Sequence, residues 1–92
     1  MPVLDSQQIS RELAAMAGWT VASGQITKKF KAPSFHRAIG FVAQIGILAE
    51  KADHHPDIDI RYDTVTIALS THSEGGITEK DVAMAREIDA AF

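Results

Sequence analysis

The chain has 92 residues, 46% hydrophobic and 23% charged, with a net charge of −3 and no cysteine. This length fits a single domain, residues 1–92, that buries about 60–70% of its unfolded surface, so association between copies would help it. The composition excludes disulfides, thiolate nucleophiles and cysteine zinc sites, offers no general attraction for nucleic acid, and contains no apolar run near the ~18–20 residues that span a bilayer.

The N-terminus lacks a basic, apolar leader pattern, so a cytoplasmic location is expected. A first helix is predicted from about Ser6 to Ala17, with Asp5 as cap, Gln8 completing a capping box and Gly18 as the stop. Its buried stripe is Ile9, Leu13 and Met16. Two strands follow, Trp19 to Ala22 and Ile26 to Lys31, joined at Ser23-Gly24. Trp19, Val21, Ile26 and Phe30 are the expected inward residues, with Trp19 in a core role. Lys28, Lys29 and Lys31 read as a solvated face or edge protection.

Ser34 caps a second helix from about Phe35 to Ala52. Phe35, Ala38, Ile39, Phe41, Val42, Ile45, Leu48 and Ala49 form one wide apolar face. Ile47 points elsewhere, beside Gly40, Ala43 and His36, and this second patch is expected to meet another subunit. Two alternating strands then place Ile58, Ile60 and Tyr62 on one face, and Val65, Ile67 and Leu69 opposite Thr64, Thr66, Ala68 and Ser70, with the turn at Asp63-Thr64. Gly75-Gly76 makes a sharp loop. Thr78 caps a third helix from about Glu79 to Ala91, whose stripe is Val82, Ala85, Ile88 and Phe92. The order is α-β-β-α-β-β-α. It implies an α+β fold: a four-stranded antiparallel sheet with three helices on one face.

Three of the four histidines fall between positions 54 and 72. Imidazole titrates near neutral pH and exchanges protons readily. His55 precedes Pro56, which biases it to extended backbone; if His54 is extended too, the two rings point to opposite sides. His72 is expected to end the fourth strand, just before the glycine loop, where alternation places it with Ala68 and Ser70 away from the core. Asp81 lies in the first turn of the third helix, where the helix dipole favours an anion. Glu50 sits in the last turn of the second helix, where the dipole disfavours one. His54, His72 and a carboxylate are types that bind zinc, but their spacing matches no zinc helix motif, and no metal is expected.

Taken together, Ala49-Glu50-Lys51-Ala52-Asp53-His54-His55-Pro56, Tyr62, Val65, Leu69-Ser70-Thr71-His72, Gly75-Gly76-Ile77-Thr78 and Asp81 make the chain resemble the pterin-4a-carbinolamine dehydratase family. The similarity extends upstream through Gly18-Trp19 and Phe30 and covers essentially the whole chain. It implies the same α-β-β-α-β-β-α fold and dimers or tetramers, here a homodimer or homotetramer through the second helix and a sheet edge. The implied reaction is loss of water from 4a-hydroxytetrahydropterin to give quinonoid dihydropterin, as in tetrahydrobiopterin recycling, without metal or cofactor. By position, His54 and His72 are the acid/base pair and His55 orients the ligand. Asp81 contacts the pterin or holds a histidine, with Glu50 in support. Many family members carry an aromatic residue two positions after the proline, where this chain has Ile58. A non-enzymatic assembly or coactivator role on the same fold is the alternative.

Overall fold

The computed structural model describes residues 2–92. Its elements are α1 (Ser6–Ala14), β1 (Thr20–Ala22), β2 (Gln25–Lys31), α2 (Phe35–Ala52), β3 (Asp57–Arg61), β4 (Thr64–Leu69) and α3 (Glu79–Ala91), with a 3₁₀ turn at His72–Glu74. The strands form one antiparallel sheet in the order β1-β2-β4-β3. Alternation along the two central strands sends Ile26, Phe30, Val65, Ile67 and Leu69 to one face. There they join Ile9 of α1, Ala38, Phe41 and Ile45 of α2, and Val82, Ala85 and Ile88 of α3 in a single core. The expected α+β architecture is the observed one.

Both long helices keep their expected bounds because their caps are strong. The Ser34 hydroxyl accepts from the Arg37 amide, and Thr78 and Asp81 form a capping box. The Asp5–Gln8 box also forms, but α1 stops at Ala14, short of the predicted Ala17. The amides of Ala15 and Met16 bond back three residues, to Glu12 and Leu13, tightening the last turn out of the α-helical pattern. Met16 still reaches the core. Ser23 and Gly24 both have positive φ, as a two-residue hairpin of this twist requires.

Several side chains lie elsewhere than the pattern predicts. Val21 is exposed, because β1 is a three-residue edge strand that no helix covers. Trp19 is buried and donates from Nε1 to Asp89. On α2 the buried face narrows to Ala38, Phe41, Ile45 and Ala49, while Phe35 and Ile39 face outward. Met84 of α3 is buried where the pattern did not place it, and Phe92 is exposed. The β3–β4 turn falls at Tyr62-Asp63, one residue earlier than predicted, since Arg61 already pairs with Thr64. Tyr62 there adopts φ +54°, leaves the sheet face and stacks on Phe35, with ring centroids 6.4 Å apart.

Two tethers fix the ends of the strands. Lys31 meets the Asp63 carboxylate at 2.6 Å, while the Asp63 carbonyl accepts from Ala32. The lysine holds the Asp63 carboxyl below the ordinary carboxylate range, chiefly by this hydrogen bond. A lowered native value gives stability that is present above the unfolded-state pKa and lost as pH falls through the native one. Asp63→Asn is therefore expected to lower the melting temperature slightly at neutral pH and to leave it unchanged in strong acid, in paired thermal melts. At the other end of the sheet, the Leu4 amide donates to the Ile77 carbonyl at 2.8 Å, and a Cβ on Gly76 would lie 2.9 Å from the Val3 side chain.

Candidate active site

The predicted residues resolve into a buried cluster, an exposed pair and one free ring. The C-terminus of α2 builds the first. Asp53 adopts a left-handed conformation (φ +51°), its amide bonds back to Glu50, and the amide of His54 bonds back to Ala49. This paired closure fixes the chain where it leaves the helix. His54 then turns inward, its side chain only 10% exposed, and its Nε2 lies 2.5 Å from Oδ1 of Asp81.

Asp81 is completely buried (0% exposed) and its acceptors are filled. Oδ2 accepts from the Thr71 hydroxyl at 2.9 Å and the Thr78 amide at 2.9 Å, while Oδ1 faces His54. Counting hydrogens orders the network. A hydroxyl has one hydrogen, and that of Thr71 goes to Asp81. In the 2.8 Å contact between the two threonines, Thr78 therefore donates and Thr71 accepts. Thr78 in turn accepts from the Lys80 amide. Every hydrogen along this line points towards the carboxylate. An ionised Asp81 only accepts, and opposite it the hydrogen of the His54 pair lies on Nε2. His54 Nδ1 has no hydrogen-bond partner among the described residues, and no buried side-chain nitrogen there is left unpaired, so Nδ1 reaches solvent.

His55 points away from this cluster. Its Nε2 lies 2.9 Å from Glu50 Oε2, and both side chains are exposed. Glu50 is thereby the partner of His55. His72 does not end the fourth strand as expected: β4 stops at Leu69, and His72 opens the 3₁₀ turn beyond it, with an exposed ring. Of the two roles expected for Asp81, holding a histidine is the one this geometry supplies.

Sequence reasoning missed Thr71. It is 5% exposed and pairs with Gly76 across the base of the loop that carries His72. The available signal was a hydroxyl residue directly preceding a candidate catalytic histidine.

A cavity of about 120 Å³ lies beside His54, lined also by Ala52, Lys80, Ala83, Met84 and Glu87. A larger one, about 570 Å³, opens at the start of α2 beside Arg37 and Phe92. It touches none of the candidate residues. Of the candidate residues, His54 lines the smaller cavity.

The family model described as pterin 4 alpha carbinolamine dehydratase matches residues 2–91. A protein of Herpetosiphon aurantiacus, provisionally named a pterin-4-alpha-carbinolamine dehydratase, is 53% identical over 92 residues, covering 100% of this chain and 96% of the relative. A provisionally named counterpart from Mycobacterium tuberculosis is 48% identical over 92 residues, covering 100% and 98%. Among solved structures, a transcriptional coactivator/pterin dehydratase from Brucella melitensis superposes with a TM-score of 0.93 at 41% identity, covering 97% of each chain. A pterin dehydratase-like RuBisCO assembly factor of the alpha-carboxysome has a TM-score of 0.66 at 24% identity, covering 79% of this chain and 84% of its own, and shares the fold. With its whole length and its architecture matched in this way, the chain belongs to the pterin-4a-carbinolamine dehydratase family.

Proposed function

We propose that the protein dehydrates 4a-hydroxytetrahydropterin to quinonoid dihydropterin, with His54 and His72 exchanging the protons. The observation that carries this reading is the His54–Asp81 pair: a buried carboxylate fixes one imidazole nitrogen and leaves the other facing solvent. Elimination requires a proton to reach the departing 4a-hydroxyl and another to leave N5. Two imidazoles supply both at neutral pH, for a contribution of about 10²–10⁴-fold. His55, supported by Glu50, orients the pterin from the exposed side. If the aromatic residue that many family members carry two positions after the proline lines the pterin pocket, Ile58 alters the packing against the ligand here. The direct test is the absorbance change of 4a-hydroxytetrahydropterin with purified protein; no acceleration over the uncatalysed reaction rejects the reading. The expected physiological setting is cytoplasmic tetrahydrobiopterin recycling.

Retention of partner binding without dehydration would favour the assembly or coactivator alternative. The ordered network around His54 favours the enzyme, because a scaffold does not require a buried carboxylate aimed at an imidazole.

The protein also self-associates in this reading, through α2 and the β3 edge. Phe35, Ile39 and Ile47 (69% exposed) form an apolar stripe on α2, extended by Tyr62 (73% exposed) and Ile58. No helix of the described chain is long and apolar enough to cross a membrane, so this stripe is not part of a membrane-spanning helix. Ile47→Asp is expected to convert the oligomer to a smaller species in light scattering without changing the melting profile of the protomer. A wild-type monomer would remove the proposal.

A further inference from the structure

We infer that Thr71 is the positioning residue that couples His54 to His72, and that it does so by fixing the orientation of the Asp81 carboxylate that holds the His54 ring. This deepens the acid/base reading above and rests on it.

Thr71 serves both histidines at once, through different atoms. Its backbone closes the loop that presents His72. The Thr71 amide donates to the Gly76 carbonyl at 2.8 Å, and its own carbonyl accepts from the amides of Glu74 and Gly75, each at 3.0 Å. Gly75 makes this closure possible with φ +78°. The Thr71 side chain faces the other way and donates to Asp81 Oδ2, whose second oxygen holds His54. One buried residue therefore connects the two proposed proton carriers: His72 is the next residue along the backbone, and His54 is reached through a single carboxylate.

The direction of the hydrogens gives this link a chemical consequence. Asp81 receives a hydroxyl and an amide on Oδ2, so its remaining capacity is presented on Oδ1, where only a donor fits. His54 must place its hydrogen on Nε2, and Nδ1 becomes the lone-pair nitrogen that meets substrate. Without the Thr71 hydroxyl, Oδ2 loses a donor and Thr78 loses its acceptor. The carboxylate then keeps only the Thr78 amide on Oδ2, and the His54 ring is held less firmly. A misplacement of about 1 Å in such a constellation costs on the order of 10²-fold in rate.

The test compares Thr71→Val, which keeps the branched shape without the hydroxyl, with Thr71→Ser, which keeps the hydroxyl. Thr71→Val is expected to lower kcat about 10²-fold with KM changed less than about threefold, and Thr71→Ser to stay within about threefold of wild type. Proton–nitrogen NMR of ¹⁵N-histidine-labelled protein, without substrate, is expected to show His54 as Nε2–H in wild type and Thr71→Ser, and to show that hydrogen exchanging faster with water in Thr71→Val. An Nδ1–H tautomer in wild type overturns the inference, and that measurement needs no variant. Equal impairment of the two variants overturns it as well, because the hydroxyl would then not be the operative group. If wild type fails to dehydrate the pterin, the functional reading falls, while the NMR result still decides the tautomer.

Discussion

Replacing His72 with alanine is expected to lower dehydration turnover about 10²–10⁴-fold while moving the melting temperature by no more than a few degrees. The separation follows from position. The His72 ring is exposed at the start of a 3₁₀ turn, and the backbone bonds that close its loop belong mainly to Thr71 and Gly76. Removing the ring leaves no buried group unpaired, and substitutions of that kind usually stay within about 0.5 kcal/mol. Rapid-mixing absorbance measurements give the turnover, and circular dichroism gives the melt. Wild-type turnover in His72→Ala would remove this residue from the mechanism.

Asp81 is expected to behave in the opposite way, because its carboxylate holds two buried donors as well as the proposed catalytic ring. Asp81→Ala deprives the Thr71 hydroxyl, the Thr78 amide and the His54 ring of their acceptor and destroys half of the α3 capping box. Orphaned buried donors cost about 1–3 kcal/mol each and lost caps about 1 kcal/mol. A net destabilisation of about 4 kcal/mol is expected, and for a domain of this length that lowers the melting temperature by roughly 15–30 °C. Asp81→Asn separates the two roles. Its carbonyl still accepts from Thr71 and Thr78, but its amide now donates towards His54 and forces the hydrogen onto Nδ1. Most stability is expected to survive while activity falls. In a Ser-His-Asp triad, where the aspartate likewise sets the tautomer, the same exchange costs about 10⁴-fold. An Asp81→Asn protein with wild-type turnover would show that the tautomer does not matter.

The parts of this protein legible from sequence are those governed by local chemistry. Ser34 and Thr78 announce helix starts because their hydroxyls satisfy amides that have no partner within the helix, and both long helices begin where those residues predict. Alternation along Val65, Ile67 and Leu69 reveals an inward face because a central strand has one covered side. The misreadings share a different cause. Phe35 and Ile39 belong to an apolar arc that continues around α2, and periodicity alone cannot divide an arc between a core and an outer surface. Tyr62 extends the Ile58–Ile60 alternation perfectly, yet it turns out at positive φ, a conformation uncommon for a bulky residue.

The site shows the same division. His54, His55, His72 and Asp81 stand out by residue type, and the Pro56 rule separates the first two. That His55 meets Glu50 depends on how α2 ends, and that Asp81 meets Thr71 depends on the bridge between Thr71 and Gly76. Such contacts join residues brought together by the fold, and no spacing rule encodes them.

The contact between the N-terminal segment and the glycine loop has a practical consequence for handling the protein. Val3 and Leu4 rest against Gly76 and Ile77, the segment whose bridge to Thr71 closes the His72 loop. An affinity tag or reporter joined ahead of Val3 would pull on the same few backbone bonds that seat a proposed catalytic ring. Phe92, at the other end, lies on Phe30 and Phe41, a helix length from the histidines. Fusions and surface attachment are better made after Phe92, where strain on the linker is borne by aromatic packing and not by the site.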